Sequence, residues 1–471
     1  MRFAQLLVVV AVAGAALPAC SPACSEVPSR PKNVILVSID TLRRDHLGLY
    51  GYSRNTSPFL DRIGRAGVAF DQCISQAPWT APSHASMLSS LYPSVLGMGR
   101  FEDPGHISDT ADMLAEVLAD AGFRTHAVTS GGFMAAKIGF AQGFEIYDDA
   151  GLNMETTVSR ALQWLRGIRD DERFFLFLHT YDVHKYKPPA SYHATWVEPY
   201  SGALAFHDRI ADLVQNHEEQ AKAGALDDAD RRYIRDLYDA SIAATDDWLR
   251  RFWETIEQRG LADDTLLVVT ADHGEEFWEH GGSGHGYTLF DENLRVPLIV
   301  YHPSLAPRMV PEQVRLLDVA PTIVDLVGAT APTSWQGESL EGSLSGHAKT
   351  LVAFSEHSHF PAKSARTPQA KLILSVAEPT RGFFDLRNDP LETKNLMQEL
   401  DRATARPMFE GIERWLRANA SDSRFRSGTR IVFNAAELEQ LAALGYLGGT
   451  AGGAVEDPDL DVWLKILSDT R

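Results

Sequence analysis

The sequence predicts an α/β fold in which a large, mostly parallel sheet lies between helices and a small antiparallel sheet follows in the C-terminal part. Two apolar runs, residues 33–39 and 265–270, are each followed closely by an acidic residue, Asp40 and Asp272. Such runs are typical of parallel strands, which helices bury on both faces. Helical patterns alternate with strands as far as Leu326, and short strands predominate afterwards, which indicates two layers of different type.

The first half of the chain predicts this alternation element by element. Apolar runs indicate the strands, and proline in a first turn indicates a helix start, as at Pro58, which opens a helix that ends at Ala66. The predicted strands are 33–40, 68–74, 124–129 and 173–179, and the predicted helices are 58–66, a run after Thr80, 108–121 and 156–169.

The second half begins with a loop, residues 180–189, that two prolines terminate. Residues 190–228 are polar and rich in His and Glu, which predicts an irregular insertion over the edge of the sheet. The predicted elements that follow are helices over 229–259 and 317–327, strands over 264–270 and 294–301, and short strands over 351–355, 372–376 and 382–386.

Composition and charge exclude several classes of protein. With 44% hydrophobic residues over 471 positions, the chain can bury one large domain and a smaller appendage. The cysteines are Cys20, Cys24 and Cys73, so no disulfide framework is expected and Cys73 is predicted to be a buried thiol. The formal net charge of −19 argues against nucleic acid and anionic membrane surfaces as partners, because both require a basic field.

The N-terminus has the pattern of an export signal. Arg2 precedes an apolar run from Leu6 to Leu17, which is too short to span a bilayer. This run and the following Pro18-Ala19-Cys20 resemble a bacterial lipoprotein signal, which implies that Cys20 is acylated. Simple cleavage and secretion is the alternative. In either case the chain is predicted to be exported, to the periplasm or to the outer membrane by a lipid anchor rather than by a transmembrane helix.

Thr80 lies in a segment, residues 77–93, in which prolines flank one hydroxyl residue ahead of a run of small and apolar residues. Pro78 and Pro82 indicate that a helix begins at or just after Thr80. The free amides and the positive end of the helix dipole at such a start favour an anion and an ionised nucleophile. A simple N-cap is the alternative role for Thr80.

Asp40, Asp272 and His273 follow two apolar strands, and ligand sites in open α/β sheets lie at the carboxyl ends of strands. Carboxylates and imidazole on rigid elements suit divalent cations. Alone, each of these residues has an ordinary explanation, such as a helix cap or a surface turn. Their combination favours one shared site.

Several stretches make the chain resemble the sulfatase family of the alkaline phosphatase superfamily, over roughly residues 33–396. The stretches are residues 38–47, 80–92 and 270–275 and the closing elements 284–286, 291–298, 384–392 and 395–396. The resemblance implies an alkaline-phosphatase-like sandwich and metal-dependent cleavage of a sulfate or phosphate ester.

The resemblance also implies roles for individual residues and a division of the chain. The implied metal ligands are Asp40, Thr80, Asp272 and His273. The implied catalytic residues are Thr80, His184 and His285: His184 binds the ester or protonates the leaving group, and His285 contacts the transferred group. The implied substrate-binding residues are His84, Lys137 and His179. The segments are a signal peptide at 1–20, a linker at 21–31, a sulfatase-like catalytic domain at 32–330, a C-terminal subdomain at 331–446 and a flexible, initially glycine-rich tail at 447–471.

The implied cofactor is one divalent metal ion, with Ca²⁺, Mg²⁺ and Mn²⁺ as the candidates, because oxygen ligation with a single imidazole does not choose among them. The alternative is a second metal bound by Asp182, His184 and His285, since two-metal relatives use an Asp and two His for it.

The nucleophile departs from the family pattern. Sulfatases that use formylglycine need Cys or Ser in a Cys/Ser-x-Pro-x-Arg frame, whereas this chain has Thr80-x-Pro82-x-His84. The usual second aspartate is Thr41, and the Lys-x-His element keeps only Lys137. A formylglycine hydrate expels sulfate by collapsing to the aldehyde, but a threonyl ester must be cleared by a second attack. The nucleophile therefore favours phosphate or phosphonate esters, while the overall pattern is sulfatase-like.

Three functions stay open at this point. The first is hydrolysis of a sulfate or phosphate ester through Thr80, and the second is the activity of a phosphodiesterase, phosphonate ester hydrolase or phosphoryl-group transferase. The third is a degenerate protein that binds metal and anion without catalysis. The substrate is predicted to be a small-molecule, glycan or lipid ester, and residues 190–228 match no pattern that would identify its alcohol half.

Overall fold

The computed structural model of the protein describes residues 30–101, 103–151, 153–206, 210–215, 226–376, 381–400, 402–444 and 457–470. The predicted signal peptide, Cys20 and most of the predicted linker therefore lie outside the described residues. Cys73 is a buried free thiol, as predicted. In the described part of the chain, no helix is long and apolar enough to cross a membrane.

Strands and helices alternate through the first two thirds of the chain. The strands are Asn33–Ile39 (β1), Val68–Ile74 (β2), Phe123–Val128 (β3), Ile146–Asp148 (β4), Arg173–Thr180 (β5), Thr265–Thr270 (β6), Glu276–Phe277 (β7), Ser283–Gly284 (β8), Arg295–Tyr301 (β9), Arg308–Arg315 (β10), Ala353–His357 (β11), Ala362–Arg366 (β12), Lys371–Ser375 (β13) and Gly382–Phe384 (β14). The α-helices are Pro58–Ala66 (α1), Thr80–Ser89 (α2), Pro93–Leu96 (α3), Leu114–Asp120 (α4), Met154–Leu165 (α5), Ala190–Trp196 (α6), Ile210–Gln215 (α7), Asp228–Gln258 (α8), Asp291–Leu294 (α9), Val319–Leu326 (α10), Glu341–Ser345 (α11), Arg402–Ala420 (α12), Ala435–Ala443 (α13) and Leu460–Thr470 (α14).

The main sheet has eight strands in the order β10-β2-β9-β6-β1-β5-β3-β4. In this sheet β9 runs antiparallel to β2 and β6, and the other neighbours are parallel. Every residue of β1 is buried, as its continuous apolar run predicts. The predicted large, mostly parallel sheet is therefore confirmed. The sequence pattern does not predict β4 and β10, because edge strands of this kind need no continuous apolar run.

Two groups of helices pack with this sheet. The long helix α8 contacts α1, α5 and α6, and its first turn is capped by the carboxylate of Asp227, which accepts two helix amides. Asp246 of α8 accepts hydrogen bonds from the amides of Phe59 and Leu60 in α1, at 2.9 Å each. Helices α2, α4 and α10 contact one another and form the second group.

Strands β11 to β14 form the predicted small antiparallel sheet, in chain order. The sequence pattern does not predict β12, because Lys363 and Arg366 interrupt its apolar residues. Both side chains are buried in ion pairs, with Glu356 at 2.8 Å and Asp291 at 2.6 Å respectively. Distant acidic residues thus allow a charged segment to form a central strand.

A buried ionic cluster joins the small sheet to the main domain. Arg366 donates to Asp291 from Nε to Oδ1 at 2.9 Å and from Nη2 to Oδ2 at 2.6 Å. Lys371 Nζ lies 3.0 Å from Asp291 Oδ1 and 3.0 Å from Glu392 Oε1. All four side chains are buried, so their charges must compensate one another.

The structure describes residues 457–470 of the predicted flexible tail at 447–471, and for these residues the prediction is wrong. The second half of this tail forms α14, which packs against α12 and β13. Leu460, Trp463 and Leu467 lie at helical spacing, and the latter two are buried. Asp457 anchors the segment through Lys363, 3.0 Å away. The glycine-rich composition of residues 447–454 therefore does not extend to the helix that follows.

The predicted irregular insertion at 190–228 also contains secondary structure. It includes α6, a 3₁₀ turn at Ala203–Phe206 and α7. All six residues of α7 are buried, and this helix contacts β8 and α13. Its order depends on segments that are distant in sequence, which local polarity does not reveal.

The ionic cluster predicts a stability effect. Replacing Arg366 with Met should lower the free energy of unfolding by about 3 kcal/mol, because the buried carboxylate of Asp291 loses its bidentate ion pair. Chemical denaturation followed by circular dichroism measures this change. Arg406→Met is the matched control, since its pair with Glu410 is exposed and should be worth less than about 1 kcal/mol. Equal losses in the two variants would contradict the role of the cluster.

Candidate active site

Two neighbouring parallel strands carry the acidic residues that are predicted to bind a metal. In the pairing of β1 with β6, Ser38 lies opposite Thr270. Asp40 and Asp272, each two residues further on, therefore leave the sheet side by side at its carboxyl edge. Both side chains are 0% exposed.

Thr80 is the first residue of α2, and the residue before it occupies the cap position, so the simple N-cap role is wrong. Thr80 Oγ1 lies 3.1 Å from Asp40 Oδ2 and 3.5 Å from His273 Nε2. One turn along the helix, Ser83 Oγ donates to the carbonyl of Asp272 at 2.6 Å. This bond fastens the helix start to the end of β6.

Asp40, Asp272 and His273 form a group whose ligand atoms all lie within 4.8 Å of one another. Asp40 Oδ1 and Asp272 Oδ2 are buried and accept no hydrogen bond from any described residue, although His273 Nε2 lies 3.2 Å from Asp272 Oδ2. Such oxygens are costly in a protein interior unless a positive charge or a donor compensates them. The residues therefore fit a divalent cation, which takes carboxylate and imidazole ligands.

Thr41, at the position of the family's usual second aspartate, serves this group through its backbone. Its φ of 58° lies in the left-handed region, which β-branched residues rarely adopt. In this conformation its amide donates to Asp272 Oδ1 at 3.3 Å, and its carbonyl accepts from Tyr238 Oη at 2.7 Å. The strained backbone thus helps to orient Asp272.

The ionisable groups at this site shift one another's pKa. Burial, together with the nearby charge of Asp272, raises the pKa of Asp40 well above its usual range. Although burial acts in the opposite direction, the imidazoles of His273 and His84 hold the pKa of Asp272 below its usual range. Two carboxylates this close do not both ionise readily without a cation between them.

His84 and His179 lie beside the two carboxylates. His84 Nδ1 donates to Thr80 O at 2.9 Å, and its Nε2 lies 2.8 Å from Ser38 Oγ. Both ring nitrogens of His84 thus have protein partners, and His84 positions Thr80 in this structure. Substrate binding by His84 stays a prediction. His179 Nε2 lies 3.6 Å from Asp40 Oδ2, and burial lowers the pKa of His179 well below its usual value.

The structure brings His184 and His285 to the same group. The ring centroid of His285 lies 4.2 Å from that of His273 and 5.0 Å from that of His184. Glu275 also belongs to this site, although no sequence pattern indicates a role for it. Its Oε1 lies 3.0 Å from His285 Nδ1, and its Oε2 accepts from Tyr186 Oη at 2.8 Å. Burial raises the pKa of Glu275 to about 7.

Lys137 does not join these residues. Its ammonium pairs with Glu437 and lies 4.8 Å from the ring centroid of Phe433. The position of Lys137 therefore does not support the predicted substrate-binding role. Its charge is already neutralised by a segment of the C-terminal subdomain whose location the sequence does not predict.

The predicted second metal site is also not assembled. Asp182 Oδ2 instead accepts the amide of Met154 at the start of α5, at 2.7 Å. The groups of close ligand atoms in the described part of the chain do not include Asp182 with His184 and His285. The structure thus supports one metal group at this edge of the sheet.

A further acidic group, Glu276, His280 and Glu292, has ligand atoms at similar spacing. His280 Nδ1 lies 2.6 Å from Glu292 Oε1, and the imidazole stacks on Phe290 with 3.6 Å between ring centroids. Although burial opposes it, Glu292 raises the pKa of His280 to about 9. The group is therefore an internal ion pair at neutral pH.

Comparison with known proteins identifies the family. The family model described as sulfatase matches residues 32–329, and a model for the C-terminal part of N-sulphoglucosamine sulphohydrolase matches residues 279–414. The chain belongs to the sulfatase family. This membership confirms the resemblance seen in the sequence and places the protein among the ester hydrolases of the alkaline phosphatase superfamily.

Relatives of different activities are similar to this chain in sequence or in fold. The multifunctional alkaline phosphatase superfamily protein PehA of Trinickia caryophylli is 25% identical over 78% of this chain and 91% of its own length. Arylsulfatase K of Mus musculus is 24% identical over 85% and 82%. The phosphonate monoester hydrolase of Agrobacterium radiobacter superposes with a TM-score of 0.67 at 20% identity, over 83% of this chain and 96% of that one.

A further neighbour is the structure of BT4656 in complex with its substrate D-glucosamine-2-N,6-O-disulfate. Its TM-score is 0.69 at 19% identity, and the match covers 85% of this chain and 100% of that one. The two matched family models together span residues 32–414, which include the strands of both the large mixed sheet and the small antiparallel sheet.

The metal group predicts a thermal response. At 100 times its dissociation constant, a metal bound only by the folded state should stabilise the protein by about 2.7 kcal/mol. The measurement is the rise in Tm when Ca²⁺, Mg²⁺ or Mn²⁺ is added to protein treated with EDTA. Asp40→Asn and Asp272→Asn should abolish the rise, since each removes a charged ligand.

Glu292→Gln is the control, because it alters the other acidic group and should keep the response. If the metal-induced rise in Tm persists in Asp40→Asn and Asp272→Asn but disappears in Glu292→Gln, the metal binds to the second group instead.

Proposed function

We propose that the protein hydrolyses phosphate or phosphonate esters, with Thr80 as the nucleophile. The observation that carries the proposal is the position of Thr80 Oγ1, 3.1 Å from Asp40 Oδ2 and 3.5 Å from His273 Nε2, at the start of α2. The positive end of the helix dipole favours a tetrahedral anion at the same point.

The choice of phosphorus over sulfur rests on the nucleophile. Threonine cannot become formylglycine, so an ester on Thr80 has no aldehyde to which it can collapse. The transferred group must therefore leave Thr80 by a second displacement, which is typical of phosphoryl transfer. The similarity to PehA and the fold shared with a phosphonate monoester hydrolase support this choice.

In the first displacement, Thr80 Oγ1 bonds to phosphorus while the bond to the alcohol breaks. The hydroxyl proton moves to Asp40 Oδ2, to which it is hydrogen-bonded. The alcohol takes a proton from His184. Burial, together with the neighbouring His285, lowers the pKa of this imidazole, and a bound anionic ester favours the imidazolium. A divalent cation held by Asp40, Thr80, Asp272 and His273 would lower the pKa of the Thr80 hydroxyl and draw charge from the ester oxygens.

In the second displacement, water attacks the same phosphorus and Thr80 Oγ1 leaves. The proton of the water passes to the neutral imidazole of His184, and Thr80 recovers its proton from Asp40 Oδ2. His285 binds the non-bridging oxygens during both steps. The site thus returns to its starting state with one water consumed.

Sulfate esters are the second candidate substrate. Arylsulfatase K is among the relatives, and a protein of the same fold binds a sulfated glucosamine. A small-molecule, glycan or lipid ester therefore belongs in the substrate panel beside aryl esters. Export by the N-terminal signal, with Cys20 as an acylated anchor, stays a prediction because residues 1–29 lie outside the described part of the chain.

Thr80 variants test the nucleophile. Thr80→Ala should lower kcat by at least about 10³-fold, because the group that forms the covalent intermediate is lost, while the Tm response to metal persists. Thr80→Ser should keep activity, since the hydroxyl survives. The assay compares an aryl sulfate, a phosphate monoester, a phosphate diester and a phosphonate ester with each divalent metal.

Ser89→Ala is the matched control, because it removes a hydroxyl from the far end of the same helix. Protein quenched during turnover should carry a phosphoryl or phosphonyl adduct on the peptide that contains Thr80. An adduct on another residue, or full activity in Thr80→Ala, would rule the mechanism out, and inactivity of the wild type on every ester would favour the degenerate binding protein.

A further inference from the structure

Gln215, the last residue of α7, brings a buried carboxamide to His285. Its side chain is 2% exposed. Gln215 Oε1 accepts a hydrogen bond from the amide of His285 at 3.2 Å. Gln215 Nε2 lies 2.5 Å from His285 Nδ1 and 3.1 Å from Glu275 Oε1. One carboxamide thus contacts the backbone of His285, its ring and the acid beside the ring.

The end of α7 is fastened to the same loop by its backbone. Tyr287 Oη donates to the carbonyl of Gln215 at 2.5 Å, and Ser283 Oγ donates to the carbonyl of Val214 at 2.7 Å. These two donors lie on either side of His285 in sequence. The position of Gln215 relative to His285 is therefore determined by several independent bonds, as a supporting residue requires.

Two groups compete for His285 Nδ1. A neutral imidazole carries a single N–H, so Nδ1 either donates to the carboxylate of Glu275 or accepts from the amide of Gln215. The distance to Gln215 Nε2, 2.5 Å, is shorter than the 3.0 Å to Glu275 Oε1. The two hydrogens of Gln215 Nε2 can serve Nδ1 and Glu275 Oε1 together.

We propose that Gln215 is a positioning residue that holds His285 as the tautomer with its proton on Nε2, so that this nitrogen donates to a non-bridging oxygen of the bound ester. The inference rests on the proposed function. Without the amide donor, Glu275 would draw the proton to Nδ1. The lone pair of Nε2 would then face an anion, which is a repulsive arrangement.

Gln215→Glu tests this role, because it replaces the amide donor with a carboxylate that can only accept. We expect kcat/KM for the best ester of the panel to fall about 10- to 100-fold, as is usual when a metal-bound histidine loses the partner that orients it. The inhibition constant of inorganic phosphate should rise in parallel. Gln163→Glu makes the same change at an exposed position of α5 and should leave both constants unchanged.

A double-mutant cycle separates positioning from general stability. In a His285→Ala background, Gln215→Glu should change kcat/KM by less than about twofold, because the residue through which it acts is gone. If Gln215→Glu instead lowers kcat/KM in the His285→Ala background as much as it does in the wild type, Gln215 acts through another residue and the proposal is wrong.

The tautomer can be measured without turnover. Side-chain ¹⁵N resonances of histidine-labelled protein, assigned with the spectrum of His285→Ala, report which nitrogen carries the proton. Wild type should show an unprotonated Nδ1, and Gln215→Glu a protonated one. A protonated Nδ1 in wild type overturns the proposal even if esters are hydrolysed. If no ester is hydrolysed but the tautomers are as expected, the proposed function fails and the assignment of Gln215 stands.

Discussion

The pairing of β1 with β6 is the constraint on which the rest of the site depends. Because Ser38 lies opposite Thr270, Asp40 and Asp272 meet at one point of the sheet edge, both out of contact with solvent. Two carboxylates repel strongly in an environment of low dielectric constant. The arrangement therefore requires positive potential from its surroundings, which the start of α2, the imidazole of His273 and a divalent cation can supply.

The polar groups around this pair act mainly as supports. Thr41 adopts a strained backbone conformation to reach Asp272, Ser83 bonds the carbonyl of Asp272, and His84 bonds the carbonyl of Thr80. Each support joins a different element to the strand edge. Such bonds matter for catalysis because reacting groups that are displaced by about 1 Å lose much of their effect.

The loop that carries His285 is held from two directions. Gln215 contacts it from α7, and His357 of β11 contacts the carbonyl of Gly286 from the C-terminal subdomain. Asp291, just after this loop, enters the ionic cluster with Arg366. The small sheet therefore stabilises the loop that carries His285 as well as the fold, and loss of the ionic cluster should destabilise both.

The sequence by itself determined the fold class, the family and the central group of Asp40, Thr80, Asp272 and His273. These features could be predicted because each depends on a contiguous stretch: an apolar run that ends in an acid, or a helix start marked by proline. Strand ends of a parallel sheet then meet at one edge whatever the rest of the chain does.

Only the tertiary structure decided which partner each remaining polar residue takes. Lys137 pairs with Glu437, His84 supports Thr80, and Gln215 reaches His285 from a segment whose polar sequence predicts only an irregular insertion. The charged strand β12 and the helix α14 likewise form because distant acids and apolar surfaces meet them. A hydrogen bond or an ion pair between residues far apart in sequence leaves no periodic pattern along the chain, so its existence is settled only when the segments pack together.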